Sequence, residues 1–176
     1  MSKRSLLALT FGLAAFWIVV DQATKFWAET TLADQPRIPL LGDWFGLVLV
    51  YNPGAAFGIG AGSVWILTVI AGVAAIGLGV LAFRVTTPLW AIVIGSMLGG
   101  AISHFFDRLL RGEELGNGKI VDFLDYGGFF VGNVADIALV GAAIGGVLLS
   151  MRGRPFSEPE RPAPERSPSM PSDRQL

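Results

Sequence analysis

Four long apolar runs, at 6–26, 64–83, 89–110 and 131–151, dominate the chain. Each is about 20 residues, the length an α-helix needs to cross a bilayer core in which every backbone N–H and C=O must be satisfied internally. With four such runs in 176 residues, little chain remains for a separate soluble domain. Composition agrees, at 52% apolar and 15% charged with a mean hydropathy of +0.58, where a soluble domain carries roughly 25% charged residues. Lys3 and Arg4 precede the first run as they would a signal peptide, but the run is long and no small-residue cleavage site closes it before Asp21. It reads as a retained span. The expected fold is an all-α membrane protein over residues 1–151: a four-transmembrane-helix bundle with a small β or interfacial-helix extramembrane segment on the outer face.

From Arg152 the composition changes, with six of the ten prolines falling in residues 152–176 among charges and serines. This stretch is expected to be a disordered, Pro-rich cytoplasmic tail. Lysine and arginine stay on the cytoplasmic side of a membrane. Lys3, Arg4, Arg84 and five tail arginines make eight on the terminal side, against five (Lys25, Arg37, Arg108, Arg111, Lys119) on the other. Both termini are therefore expected inside, which puts ten of the fourteen acids at or near the outer face. The segment 37–60 suits short strands, or a strand and an interfacial helix. The Gly-rich segment 111–130 suits an ordered turn or a mobile lid. Gly95 with Gly99 and Gly141 with Gly145 repeat at four-residue spacing, which either lets helices three and four pack closely or reflects only the frequency of Gly in membrane helices.

Ionisable residues inside spans cost about 2.5–3.5 kcal/mol at a helix centre and mark function by default. Asp21 and Lys25 are one helical turn apart and can pair. Asp107, Arg108 and Arg111 at the end of the third span admit the same reading, and an arginine there also suits a lipid phosphate or a peptide carbonyl. Asn133 and Asp136 sit three apart at the start of the last span, with no basic residue within a turn of Asp136. If Asp122 came close to Asp136, the two would share a proton, the state an aspartic protease uses. A helix-packing polar cluster or an ion-conducting site remain alternatives. Other chemistries fare worse. The absence of cysteine removes disulfides and thiolate chemistry, no HExxH marks a zinc site, and no Gly-x-Ser-x-Gly elbow is present. The one histidine, His104, follows Ser103 directly, so the two point to different helix faces. A net charge of −1 with scattered basic residues gives no reason to expect nucleic acid.

Four short blocks, in order, resemble the lipoprotein signal peptidase (signal peptidase II) family. Asp21-Gln22-Ala23-Thr24-Lys25 is similar to the family's D-Q-x-T-K, and Asn52-Pro53-Gly54-Ala55-Ala56-Phe57-Gly58 to its N-x-G-A-A-F-G. Gly99-Gly100-Ala101 with Asp107-Arg108, then Ile120-Val121-Asp122-Phe123, resemble G-G-A-x-x-N-x-x-D-R and V-V-D-F. Asn133-Val134-Ala135-Asp136 matches N-x-A-D. The resemblance implies Asp122 and Asp136 as the catalytic pair. Asn52, Arg108 and Asn133 would line the site, with Asp21, Lys25, Gly54 and Asp107 as further supporting positions. It also implies the substrate, a diacylglyceryl-modified prolipoprotein cut before its lipidated cysteine, with such prolipoproteins and membrane lipids as partners. No metal or organic cofactor is implied, and the location would be the bacterial inner membrane with the site near its periplasmic face. One departure stands out: the family's asparagine is His104 here, which either fills the same space or brings a titratable group beside the dyad. Thirteen residues separate the two aspartates, which should limit any lid. Rival readings are a small proton- or cation-conducting protein and a non-catalytic homologue that binds lipidated peptides.

Overall fold

A computed structural model describes residues 1–54 and 59–156. Positions 55–58, within the second of the four blocks, and the tail from 157 onward lie outside the described residues. Four helices are long and apolar enough to cross a membrane: α1 (Lys3–Thr31), α2 (Val64–Ala82), α3 (Pro88–Leu110) and α4 (Val134–Met151). The protein is a multi-pass membrane protein. Large apolar side chains such as Phe16, Val19, Val73, Ile76 and Val147 remain exposed along the helices, the surface a bilayer would cover. The central helix is α3, which packs on all three others and buries a face running from Ala91 to Arg108.

Helix limits follow local chemistry more closely than hydropathy. α1 starts at Ser2, whose hydroxyl accepts the Ser5 N–H at 3.2 Å, and extends a turn past its apolar run. α4 starts later than its apolar run. Val131–Gly132 form a short strand, and Asn133 is the N-cap in extended conformation rather than a residue on the helix face. Its short amide side chain accepts the Asp136 N–H while the Asp136 carboxylate accepts the Asn133 N–H, a capping box that stops the helix from extending backwards.

At the end of the bundle where α1 and α3 finish and α2 and α4 begin, β1 (Ile38–Leu41), β2 (Phe45–Asn52), β3 (Ile120–Asp125) and β4 (Val131–Gly132) form an antiparallel sheet in that order. The fold is thus four apolar helices plus a small sheet rather than purely helical. Of the two alternatives for 37–60, the strands form; among the described residues that follow, only a single 3-10 turn (Ala61–Ser63) precedes α2. β3 is the buried strand, and Phe123 packs with Ala28 and Leu32 of the α1 end while meeting Trp27 edge-on at 6.2 Å. Segment 111–119 is an ordered turn closed by Gly118 N–H on the Arg108 carbonyl (2.8 Å) and Lys119 N–H on the Arg111 carbonyl (3.1 Å).

The glycine spacing has a different meaning from the one expected. Gly95 and Gly99 face α1, not α4: a Cβ at Gly95 would lie 2.6 Å from the Thr10 carbonyl oxygen, and one at Gly99 2.7 Å from that of Ala14. α4 approaches α3 at Gly100, where a Cβ would lie 3.0 Å from the Ala135 carbonyl oxygen. Gly141 faces open space, whereas Gly145 faces α3 as expected, a Cβ there lying 3.5 Å from Val93 Cγ2. Beyond α4, Trp90 Nε1 donates to the Arg154 carbonyl at 3.2 Å and its ring meets Phe156, so the packed body runs to Phe156 rather than ending at 151.

Gly99→Val should therefore force α1 and α3 apart and destabilise the bundle by about 1–3 kcal/mol. Thermal unfolding in detergent should show a lowered melting temperature for it and none for Gly141→Ala; equal behaviour would refute the close α1–α3 contact.

Candidate active site

The site rests on charges buried in the bundle. Lys25 Nζ lies 2.5 Å from Asp21 Oδ2 one turn back on α1 and 2.6 Å from Asp107 Oδ2 on α3, with all three side chains fully buried. Both contacts are ion pairs made by proximity rather than directed hydrogen bonds. The expected Asp21–Lys25 pair is present, and Asp107 completes it as a triad. Each carboxylate then reaches another element. Asp21 Oδ1 accepts the Ala135 N–H at 2.7 Å, which fastens the first turn of α4, and Oδ2 accepts the Ser103 hydroxyl at 2.6 Å. Asp107 Oδ2 faces the Val121 N–H of β3 at 3.4 Å, and Oδ1 accepts from Gln22 Nε2 at 2.8 Å and Arg111 Nε at 3.0 Å. Arg111 also pairs with Glu29. These residues stand behind the cavity described next and do not line it.

Asp122 and Asp136 line one cavity of about 440 Å³, together with Asn52, Gly54, His104 and Arg108. Its remaining walls are apolar, with Leu67 and Ile70 from α2 and Leu139 and Val140 from α4. Asp122 projects from β3 and is only 3% exposed. Asn52 Nδ2 donates to its Oδ2 at 3.0 Å, and Asn133 Nδ2 to its Oδ1 at 2.6 Å. Burial pushes Asp122 up to about 6; the Asn52 amide pulls it back, the charge of Asp136 adds to the rise, and the Asn133 amide and Lys25 pull it back further. Asp136 holds the third position of α4 and accepts the Asn133 N–H at 2.9 Å. Asn133 therefore bridges the two carboxylates, its side chain on one and its backbone on the other. Arg108, expected to suit a phosphate or a peptide carbonyl, donates to the carbonyls of Pro53 (3.1 Å) and Gly54. Those bonds hold the start of the segment that follows β2.

Sequence reasoning missed Gln22, Ser103 and Glu29, the last as the second ion-pair partner of Arg111. Gln22 lies within the Asp21–Lys25 block, and Ser103 reads in sequence only as a potential nucleophile, whereas its hydroxyl serves Asp21. The opposite facing of Ser103 and His104 is observed: Ser103 turns to α1, while His104 Nε2 approaches Asn133 Oδ1 (3.3 Å) and Asp136 Oδ1 (3.5 Å) at the start of α4.

Fold and site together define a multi-pass membrane protein with a paired-carboxylate cavity at one end of a four-helix bundle. Two solved structures of bacterial membrane enzymes, obtained by the in meso method at 2.3 and 1.9 Å resolution, share the fold. The first gives a TM-score of 0.72 at 23% identity over 86% of this chain and 93% of that one; the second gives 0.70 at 24% over 81% and 92%. The family model for signal peptidase (SPase) II matches residues 13–152, and the chain belongs to this protease family. Relatives include the lipoprotein signal peptidase of Bifidobacterium adolescentis, 40% identical over 88% of this chain and 82% of that protein. That of Mycobacterium avium is 39% identical over 85% and 82%.

Two outcomes follow for stability. Lys25→Met leaves two buried carboxylates facing each other and should destabilise the protein by about 3–5 kcal/mol, read as a fall in melting temperature that Asp107→Asn partly reverses. An unchanged melting temperature would show that the triad carries no load. Asp122, raised from 3.8 to about 6, binds its proton more tightly folded than unfolded. Its contribution is intact below pH 4 and is lost as pH rises through 6, a change of about 3 kcal/mol. Melting curves of the wild type and Asp122→Asn should diverge over this range, the wild type losing ground as pH rises; parallel curves would contradict the buried carboxyl.

Proposed function

We propose that the chain is an aspartic endopeptidase that removes the signal peptide from diacylglyceryl-modified prolipoproteins, cutting before the lipidated cysteine. The observation that carries this reading is the facing of two carboxylates, one buried and raised, into one cavity with apolar walls. In the single-proton state one carboxylate removes a proton from a water held between them, and the resulting hydroxide attacks the scissile carbonyl carbon. The protonated partner donates to the carbonyl oxygen, giving a neutral tetrahedral diol. On collapse the C–N bond breaks, the leaving amine takes the proton first removed from water, and the second carboxyl regains its own from a diol hydroxyl. Water is consumed and both carboxyls return to their starting state.

The apolar walls from α2 and α4 suit a substrate that arrives from within the bilayer with its acyl chains still in lipid. Orientation completes the reading: termini cytoplasmic, the sheet and dyad toward the periplasmic face of the inner membrane, and prolipoproteins and membrane lipids as partners. Ion conduction is disfavoured because the described acids gather at one end, while α2 has no ionisable side chain and α4 has none beyond Asp136. A purely binding role is disfavoured because both amides that position Asp122 are in place.

Asp122→Asn and Asp136→Asn should each lower release of the signal peptide from a diacylglyceryl-modified prolipoprotein by at least about a hundredfold, since Asn keeps the shape but exchanges no proton. Full turnover in either would remove that residue from the mechanism. Reporter fusions at the C-terminus should report a cytoplasmic location; a periplasmic signal would invert the orientation proposed for every element.

A further inference from the structure

Two carboxylates that share one proton have different surroundings here. Asp136 lies in the first turn of α4, where the Ala135 N–H is taken by Asp21 Oδ1 and the Asp136 N–H by Asn133 Oδ1. Its Oδ2 accepts the Asn133 N–H, its Oδ1 faces His104 Nε2 at 3.5 Å, and its side chain is 28% exposed. Asp122 is nearly sealed, and burial favours its neutral form.

The state of His104 can be read from its neighbours. Nε2 also lies 3.3 Å from Asn133 Oδ1. The Asn133 amide has one satisfiable orientation: Nδ2 donates to Asp122 Oδ1 and Oδ1 accepts the Asp136 N–H at 3.1 Å. Reversed, it would set its NH2 against the Asp136 N–H, donor against donor. Both atoms nearest Nε2 are therefore acceptors, so Nε2 carries a hydrogen in the neutral tautomer and in the imidazolium alike.

We propose that His104 is a positioning residue for the dyad: its Nε2–H, bonded to Asn133 Oδ1 and 3.5 Å from Asp136 Oδ1, holds the negative charge on Asp136 and leaves the shared proton on Asp122. The proposal rests on the aspartic endopeptidase reading and adds the roles it left open. Asp136 takes the proton from water, and Asp122 donates to the scissile carbonyl oxygen. The charged groups that share the cavity with His104 are Asp136 from α4, Asp122 from β3 and Arg108 one turn further along α3. Among the described lining residues, α2 contributes Leu67, Ile70 and Ala71 and β2 contributes Asn52, none of them titratable.

His104 is the only histidine in the chain, so 15N-histidine NMR of the intact protein in lipid nanodiscs reads its tautomer without any variant. A protonated Nε2 is expected, and a neutral ring protonated only at Nδ1 would overturn the proposal. Infrared spectra at pH 5 locate the dyad proton through the carbonyl stretch of a protonated carboxyl. That band should vanish in Asp122→Asn and persist in Asp136→Asn; the reverse pattern assigns the proton to Asp136 and refutes the roles. In turnover of a diacylglyceryl-modified prolipopeptide, His104→Leu should lose about tenfold or more in kcat with KM little changed, and His104→Gln, which keeps a donor, should recover most of it. Equal kcat in the Leu and Gln variants would reduce His104 to packing. Full activity in both Asp122→Asn and Asp136→Asn would instead remove the aspartic reading itself, whatever the tautomer of His104.

Discussion

One ammonium between two carboxylates organises this protein. Lys25 has no access to water, and neither do Asp21 and Asp107, so loss of the ammonium would leave two buried carboxylates without the cation they share. The triad also sets distances elsewhere. Asp21 binds the backbone N–H of Ala135, the residue before Asp136, and Asp107 faces the backbone N–H of Val121, the residue before Asp122. The two carboxylates of the cavity are thus each one residue from a backbone group held by the same cluster. A shift of α1 against α3 would move both, which gives a physical reason for the glycines at 95 and 99: they let the two helix backbones approach closely enough for Lys25 to reach across.

The position of the site at the bundle's end follows from the same economy of charge. At mid-bilayer an isolated carboxylate has no donors. At the start of α4 the first-turn N–H groups are unpaired within the helix, and Asn133, Asp136 and Asp21 between them use the capping positions. The sheet then supplies what a helix end cannot, a second backbone, β3, that brings Asp122 in from the side, with Asn52 on the neighbouring strand β2 reaching its outer oxygen.

Much of this was legible in the sequence, and the reasons differ by element. Four apolar runs sufficed for four helices because hydropathy over 20 residues is a strong signal. The strands of 37–60 were visible as one of two alternatives, since β-branched and aromatic residues beside Gly and Pro fit either a strand or an interfacial helix. The α4 start was misjudged at Val131 because apolar strand and apolar helix look alike over two residues; only Asn133, as a cap, divides them. Gly95 and Gly99 were assigned the wrong neighbour because spacing reports that a helix face is small, not which helix meets it. Asp122, Asp136 and Arg108 stand out as charges at the ends of apolar runs, Asn52 comes from motif resemblance alone, and the four meet around one cavity. Gln22 and Ser103 were invisible as partners because their roles exist only across α1 and α3, a relation that no local pattern encodes.

The asymmetry of the dyad follows from secondary structure before any side chain is considered. A carboxylate on a buried strand has its N–H and C=O neighbours already committed to the ladder and must find side-chain donors, as Asp122 does in two amides. A carboxylate in the first turn of a helix meets backbone donors that are free by geometry, as Asp136 does. Pairing a strand aspartate with a helix-start aspartate therefore gives two chemically identical residues different sets of donors. His104 adds a donor on the helix side of that pair and so works in the direction the backbone has already set.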